Sequence, residues 1–402
     1  MSSKKKLLYL VSSYPYGVGE TFVEGELKEI INSNKFNIFL SPMIAKGKKR
    51  DAVHGLAIYP TKKCHYDILA YSIQCILHPT FWSEVCKLPR INTRLLRNLV
   101  LKFSHILKIK RQIKKIIIKN DIKVVYTFWN DVQSYACCLL KEEGLDFNLI
   151  SRVHGFDLYK EVQVENYMLF KKSLQPYVDK YVCLSEESKC YLMEEYSVKE
   201  SNIDIIPLGI SDIPKDIKIK KDDGEIRLIS CSFCTENKNI DIIYSIAKII
   251  SKKCTDKKVI WTHIGDGPTF NNIQELVAVD KVRNLNCEFL GYKTSKEIED
   301  IYKKNYFDLF INASSSEGQP VSIMEAMSYG IPVIASDVGG IPSMLRETDS
   351  LVVNINDSDL DNLILTNLNR LLNDSSVRVK VHRKVMEEFS SKKNTIKLLN
   401  LW

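Results

Sequence analysis

Two glutamates, Glu317 and Glu325, stand eight positions apart in SSSEGQPVSIMEAMSYGIPVIASD, residues 314–337. The first neighbours Gly318 and Pro320. Pro320 suits the first position of a helix, and Gly330 followed by Ile331 and Pro332 suits its end. At about 3.6 residues per turn, Ile323, Ala326, Met327 and Gly330 form one stripe for packing on a sheet. Glu325 falls on the opposite side, near Val321 and Ser328. The N–H groups of Val321, Ser322 and Ile323 at the helix mouth would attract a phosphate-like anion. Glu317 would then meet a group beside that phosphate, such as a sugar hydroxyl. Glu325 could accept a second pair of hydroxyls, such as those of a ribose. A plainer reading makes Glu317 a helix cap and Glu325 a solvated charge, and on residue chemistry alone it is the safer one.

Other candidates lie in glycine-bearing loops. SSYPYGVGETF carries Gly17 and Gly19, which would let a backbone approach a ligand, and Glu20 would open the next helix. Phe22 stands where a dinucleotide loop needs its third glycine, so such a site is disfavoured. A plain tight turn explains the loop equally well. SRVHGFDLY sets His154 beside Gly155 and Asp157 at a strand end, a setting that leans toward substrate contact although lone histidines are usually structural. SCSFCTENKNID puts Lys238 just ahead of a helix, where it would either neutralise phosphate or sit exposed. HIGDGP places Gly265, Asp266 and Gly267 in a turn after a strand. Asp357-Ser358-Asp359 begins a helical pattern and reads as capping rather than metal binding. The eleven cysteines are odd in number and scattered, and Cys231 and Cys234 lack zinc-spaced partners, so reduced thiols are expected.

These loops need elements to hold them. Apolar runs of strand length recur at KKLLYLVSS, 124–129, 148–154, 180–185 and 203–209, with helical patterns between several. After the polar stretch ISDIPKDIKIKKDDGE, the alternation restarts with IRLISCS, KVIWTHIGDG, CEFLGY, FDLFINAS, IPVIASD and SLVVNIN. Strands alternating with helices make parallel sheets covered by helices. The expectation is α/β: two doubly wound, Rossmann-like domains facing across a cleft, with ligands beyond the C-terminal strand ends. The expected bounds are 1–206, a linker at 207–224, 225–385, and a C-terminal helix at 386–402 that crosses back to the first domain. At 402 residues, 45% apolar and 26% charged, the chain is long enough for two globular cores. The lysines before LLYLV resemble a signal peptide, but the apolar run is short and is better read as a buried strand. No apolar stretch reaches the length of a membrane span.

EGQPVSIMEAMSYGIPVIASDVGG resembles the E-x7-E signature of retaining, nucleotide-sugar-dependent glycosyltransferases of the GT-B fold and family-4 type. SYPYGVGETF resembles that family's first glycine loop, RVHGFD its His-Gly segment and NIDIIPLGI its inter-domain crossing. HIGDGP and FLGYKTSKEI resemble its nucleotide-side loops. The likeness runs over nearly the whole chain and is greatest to bacterial exopolysaccharide and colanic-acid-type enzymes. It implies catalytic roles for Glu317, His154 and Lys238. Donor contacts would come from Gly17, Gly19, Lys238, Gly265, Gly318, Gln319, Val321, Ser322 and Glu325, with Glu317 on sugar hydroxyls, Glu325 on ribose and Lys238 on pyrophosphate. It also implies a UDP-sugar as co-substrate, no cofactor, no metal and a lipid-linked saccharide acceptor. Phe233 departs from the pattern, since the family often carries arginine there. A sugar-nucleotide epimerase and a non-catalytic sugar-nucleotide-binding protein on the same fold are the alternatives.

From Lys87 to Lys119 there are eleven Lys or Arg residues and no Asp or Glu, which leaves the rest of a +8 chain at −3 (8 minus 11). The basicity is local, so a nucleic-acid surface is not indicated. Leu95, Leu99, Phe103, Ile106, Ile113 and Ile117 form an apolar helical stripe, interrupted by Lys110. Surface helices normally mix charge signs, so the basic face, with Arg94, Arg97, Lys108 and Arg111, is expected to meet anionic lipid beside CILHPTFW and Trp82. The expected location is cytoplasmic, peripheral to the inner face of the plasma membrane.

Overall fold

The computed structural model describes residues 4–17, 19–50, 56–60, 67–218, 223–280 and 282–402. The chain forms two compact units, Met1–Pro207 with Ser391–Trp402, and Leu208–Ser390.

The first unit is built on β1 (Lys5–Val11), β2 (Phe36–Pro42), β3 (Ala57–Ile58), β4 (Val124–Thr127), β5 (Asn148–Arg152), β6 (Lys180–Cys183) and β7 (Ile203–Ile205). Their order is β3-β2-β1-β4-β5-β6-β7, all parallel. Leu7 to Val11 are completely buried. A central parallel strand is covered on both faces, so it reads as a continuous apolar run rather than an alternating one. Two strands, β2 and β3, are additions to those expected from the sequence.

The helix Thr93–Asn120 buries all six residues of the expected stripe, together with Ser104, Leu107 and Ile109. The Asn92 side chain caps it by accepting from the Leu95 N–H at 2.7 Å. The acids missing from its own sequence come from neighbouring segments. Lys102 pairs with Asp131 at 2.8 Å, and Lys110 and Lys114 both pair with Glu143, at 2.6 and 2.8 Å. Part of the basic face is therefore neutralised within the unit. Arg94, Arg97 and Arg111 are exposed and carry no ion pair with any described residue, while Lys108 is half-buried. No helix among the described residues is long and apolar enough to cross a membrane.

The second unit is built on β8 (Glu225–Cys231), β9 (Lys258–Ile264), β10 (Leu285–Phe289), β11 (Leu309–Asn312), β12 (Val333–Ser336) and β13 (Leu351–Val353). The order β10-β9-β8-β11-β12-β13 is again doubly wound and parallel. The direction of strand order reverses between β8 and β11, as it does between β1 and β4 in the first unit. That reversal leaves a crevice beyond the strand ends where neighbouring connections run to opposite faces.

The expected linker is not a free connector. Lys218 Nζ donates to the carbonyls of Tyr302, Lys303 and Asn305 at 3.0, 2.6 and 2.6 Å. His382 Nε2 lies 2.9 Å from the Pro214 carbonyl, so this stretch belongs to the second unit. Residues 219–222 of it lie outside the described residues. The last helix, Ser391–Leu399, belongs to the first unit, where the Trp402 ring lies 5.3 Å from both Phe36 and Tyr126.

Candidate functional site

In the second unit the loops after β8 and β11 are stitched together at the reversal point. Asn239, at a left-handed φ of 48°, donates its side-chain amide to the Ala313 carbonyl at 2.8 Å. The Ser315 N–H donates to the Asn237 carbonyl, also at 2.8 Å. This brings Lys238 onto Glu317, Nζ to Oε1 at 2.5 Å, with both side chains mostly buried. Ser314 Oγ donates to the same oxygen at 2.7 Å. Glu317 is therefore oriented by a cation and a hydroxyl, not by the helix it precedes, and the capping alternative is excluded. Lysine keeps two further N–H donors for another acceptor.

The backbone beneath Glu317 is held from the loop after β12. Gly340 N–H donates to the Gly318 carbonyl at 3.0 Å. A Cβ on Gly339, whose φ is +54°, would lie 1.7 Å from the Glu317 carbonyl oxygen, so glycine is obligatory there. Gly265 answers a similar demand. A Cβ on it would meet the Ser232 carbonyl oxygen at 1.9 Å, and the Cys234 N–H reaches Asp266 O at 2.7 Å. The turn 264–267 thus locks the loop that leads to Lys238. His263, fully buried beneath it, touches Ser230 Oγ at 2.8 Å and Cys234 Sγ at 3.2 Å, and burial lowers it to about 4. It is a neutral internal strut.

Helix Val321–Ser328 begins after Pro320, which occupies the cap position rather than the first turn. The N–H groups of Val321 and Ser322 are unpaired among the described residues. That of Ile323 is not free, because it donates to the Pro320 carbonyl at 3.2 Å. Ile323, Ala326, Met327 and Gly330 are buried as the stripe requires, and Met324 and Ser328 are buried with them. Gln319 Oε1 accepts from the Leu208 N–H at 2.7 Å, so that oxygen anchors the chain rather than facing a ligand. Phe233 is exposed and brings no charge to this region.

Glu325 is not a solvated surface charge. The residue is partly buried, and its carboxyl neighbours Cys231, Tyr302 and Tyr329. Burial pushes it up to about 7. The Tyr302 hydroxyl is buried and has no hydrogen-bond partner among the described residues. The expected position of Glu325, two turns from Glu317, is met; its surroundings were not visible in the sequence.

The first unit gathers a second constellation at its own strand ends. Glu20, at a left-handed φ of 54°, turns its carboxylate back onto the loop after β1. It accepts from the N–H groups of Ser12, Ser13 and Tyr14 at 3.0, 2.5 and 2.6 Å, and from Trp129 Nε1 at 2.5 Å. Gly17, at φ +71°, donates its N–H to Lys48 O, while Gly19 is exposed. His154 is buried, with its ring 5.0 Å from Phe128 and 4.2 Å from Trp129. Neither ring nitrogen has a hydrogen-bond partner among the described residues, and Asp157 is 3.9 Å away. The Asp157 carboxylate is instead engaged by the His154 N–H at 2.6 Å and the Asn130 N–H at 2.8 Å. An imidazole buried without partners is costly unless something else completes it. Beside it a pocket of about 290 Å³ is lined by Ser12, Glu20, Trp129, Asp131, Gln133 and Phe156 among others. Sequence reasoning missed Trp129, Asp131 and Phe156, although their places just after β4 and β5 were a usable signal.

Asp357 and Asp359 are exposed; Asp357 Oδ1 accepts the Asp359 N–H at 2.9 Å, a turn contact, and Asp359 occupies the cap of the following helix without a side-chain bond to its N–H groups. Among the described residues, no three His, Cys, Asp or Glu side chains converge as a metal set.

Two doubly wound parallel units, each with polar side chains gathered at the reversal of its strand order, define a GT-B glycosyltransferase fold. The lipopolysaccharide outer core galactosyltransferase WaaB, in its apo form, superposes with a TM-score of 0.67 at 15% identity, covering 98% of this chain and 99% of that one. Residues 212–387, nearly all of the second unit, match the family described as Glycosyl transferases group 1. The O-antigen biosynthesis glycosyltransferase WbnH of Escherichia coli is 25% identical over 248 residues, 61% of this chain and 68% of the relative. The UDP-Gal:alpha-D-GlcNAc-diphosphoundecaprenol alpha-1,3-galactosyltransferase of Escherichia coli is 25% identical over 272 residues, 63% of this chain and 68% of the relative.

Proposed function

We infer that this chain is a glycosyltransferase of surface-polysaccharide synthesis, and that it is a retaining, family-4-type enzyme moving a sugar from a UDP-sugar to a saccharide carried on a lipid. The observation that carries the reading is the Glu317–Lys238 pair at the mouth of helix Val321–Ser328, with Glu325 two turns along. In this reaction the bond from the anomeric carbon to the diphosphate oxygen breaks. A new bond forms from that carbon to an acceptor hydroxyl oxygen on the same face, and the hydroxyl proton passes to the departing diphosphate. The protein's main task is to stabilise negative charge growing on the departing diphosphate. Lys238 and the unpaired N–H groups of Val321 and Ser322 supply that stabilisation. Glu317 accepts hydroxyls of the donor sugar, and Glu325, once ionised, accepts those of the ribose. His154, whose ring nitrogens have no partner among the described residues, is the first unit's candidate hydrogen-bonding group for a sugar hydroxyl. With Phe233 at the family's arginine position, the diphosphate rests on Lys238 and backbone donors or on a further cation elsewhere.

The likeness to the Escherichia coli UDP-Gal:alpha-D-GlcNAc-diphosphoundecaprenol alpha-1,3-galactosyltransferase supports a lipid-linked acceptor. Arg94, Arg97 and Arg111, exposed and without an ion pair among the described residues, support contact with anionic headgroups. No metal is required by this chemistry. The test is product formation. Purified protein with UDP-sugars and a lipid-linked saccharide should give a longer glycan and free UDP, with the donor's anomeric configuration kept. Glu317→Gln should lower turnover about a hundredfold while leaving the melting temperature unchanged. Full turnover in that variant removes the assignment of Glu317. Interconversion of sugar nucleotides without an acceptor would identify an epimerase, and nucleotide binding without release a binding protein.

A further inference from the structure

Lys171 is completely buried. Arg152, buried in the same unit, is paired with Glu26 at 2.6 Å, but Lys171 has no ion pair among the described residues. Its ammonium is 5.9 and 5.5 Å from the rings of Tyr181 and Tyr196. Burial lowers it to about 8, against the pull of Asp157 and Cys183. A cation kept out of water without a counter-ion costs stability, and an apolar side chain would fill the same space without that cost.

The ammonium joins two loops. It donates to Asn130 Oδ1 and, at 2.7 Å, to the Asp157 carbonyl. Asn130 follows Trp129 in the loop after β4, and Asp157 follows His154 by three residues after β5. The Asn130 N–H donates to Asp157 Oδ2 at 2.8 Å, and Asp157 Oδ1 accepts the His154 N–H at 2.6 Å. The Asn130 amide also donates to Ser151 Oγ on β5 at 2.7 Å. Lys171, Asn130 and Asp157 thus close a circuit of hydrogen bonds across both loops, and all three are buried. On this circuit sit Trp129 and His154, whose rings meet at 4.2 Å.

The chain around Lys171 is fixed in turn. Phe170, at a left-handed φ of 67°, gives its N–H to Glu84 Oε1 at 2.7 Å. The Tyr167 hydroxyl and Ser173 Oγ donate to the same buried carboxylate at 3.0 and 2.5 Å. An ammonium anchored from behind sets the two loops rather than following them. It presents three N–H groups, and its charge makes each bond roughly twice as strong as a neutral one.

We propose that Lys171 is a positioning residue for sugar transfer: its ammonium ties the loops after β4 and β5 together and so fixes His154 and Trp129 in the geometry that the reaction uses. The proposal rests on the transferase reading for what His154 touches, and on the hydrogen bonds of the first unit for what Lys171 holds.

The experiment combines steady-state kinetics with fluorine NMR of the whole chain carrying 5-fluorotryptophan at its four tryptophans. Trp129→Phe assigns the Trp129 resonance. Lys171→Met, of similar length and without a donor, should shift or broaden that resonance and leave those of Trp261 and Trp402 in place. Its kcat should fall roughly tenfold to a hundredfold, with the UDP-sugar KM changed less than about twofold, as misplacement without lost donor binding requires. Asn130→Ala removes the acceptor and keeps the cation, and should give the same resonance change and the same loss. The double variant should be no slower than either single one, because the two residues act as a unit. Circular dichroism checks folding; if Lys171→Met does not fold, Asn130→Ala carries both readouts. An unmoved Trp129 resonance, equal movement of Trp402, additive losses in the double variant, or a full kcat with Trp129 displaced would each overturn the proposal. A wild-type chain that makes no product sinks the transferase reading instead, while the Trp129 resonance still decides whether Lys171 holds the pair.

Discussion

Glu325→Gln separates what the partly buried carboxyl does to stability from what it does to nucleotide binding. In the folded chain burial holds the Glu325 proton until pH reaches about 7, against an ordinary value of 4.5. Between those values the folded state binds more protons than the unfolded one, so stability falls as pH rises. Below the ordinary value both states are protonated and no penalty exists. Above about 7 the penalty is complete, at most about 3 kcal/mol for a shift of this size. Glutamine removes the titration, so the variant should melt about 5–10 °C above wild type at pH 8 and close to it at pH 4.5. Binding should move the other way. If ribose hydroxyls donate to the ionised carboxylate, wild-type affinity for UDP-glucose should rise about tenfold from pH 6 to pH 8, following the ionised fraction. The diphosphate of UDP-glucose does not titrate in that interval, so the slope belongs to the protein. The variant should bind weakly with no slope. Differential scanning fluorimetry and titration calorimetry across pH measure both quantities. A wild-type affinity that is flat with pH, or a variant that melts below wild type at pH 8, would refute the reasoning.

Three further outcomes are expected. Gly339→Ala should destabilise the second unit by on the order of 1–3 kcal/mol and raise the donor KM, because its methyl meets the Glu317 carbonyl; thermal melts and initial rates measure the two effects. Transfer should survive EDTA, and loss on chelation restored by manganese or magnesium would return attention to Asp357 and Asp359. Sedimentation with anionic vesicles should weaken with added salt and fall when Arg94, Arg97, Lys108 and Arg111 become Gln, since each basic residue near such a surface is worth roughly 1 kcal/mol; equal binding to neutral vesicles would refute the contact.

How much of this was legible in the sequence depended on how local the cause was. Leu7 to Val11 announce a central parallel strand because burial on both faces leaves no polar alternation to confuse the pattern. β2 went unseen because FNIFLSP has an exposed Asn37 inside and Pro42 at its end, and follows closely on the left-handed turn at Asn34. β3, at two residues, has no sequence pattern of its own. The Glu317–Lys238 pair was reachable through resemblance, since nothing local to either residue reveals a contact spanning 79 positions. The behaviour of Glu325 was out of reach for the same reason. Its own helix predicts an exposed face, and the burial comes from Cys231 on β8 and Tyr302 on a separate helix.

Glu20 carries the same lesson into the first unit. Read locally, it is an acid in the first turn of a helix, where it favours the dipole. In the fold its backbone is left-handed, and its carboxylate is held by three amides of the preceding loop and by the indole of Trp129, 109 residues later. A carboxylate so fully engaged is a poor hydrogen-bond acceptor for anything else. Its contribution to the neighbouring pocket is therefore shape: it holds the loop after β1 and fixes the Trp129 ring against His154. Gly17, at φ +71°, is tied instead to the Lys48 carbonyl by its N–H. The acid beside the glycine loop thus positions an aromatic wall against an imidazole that has no partner among the described residues.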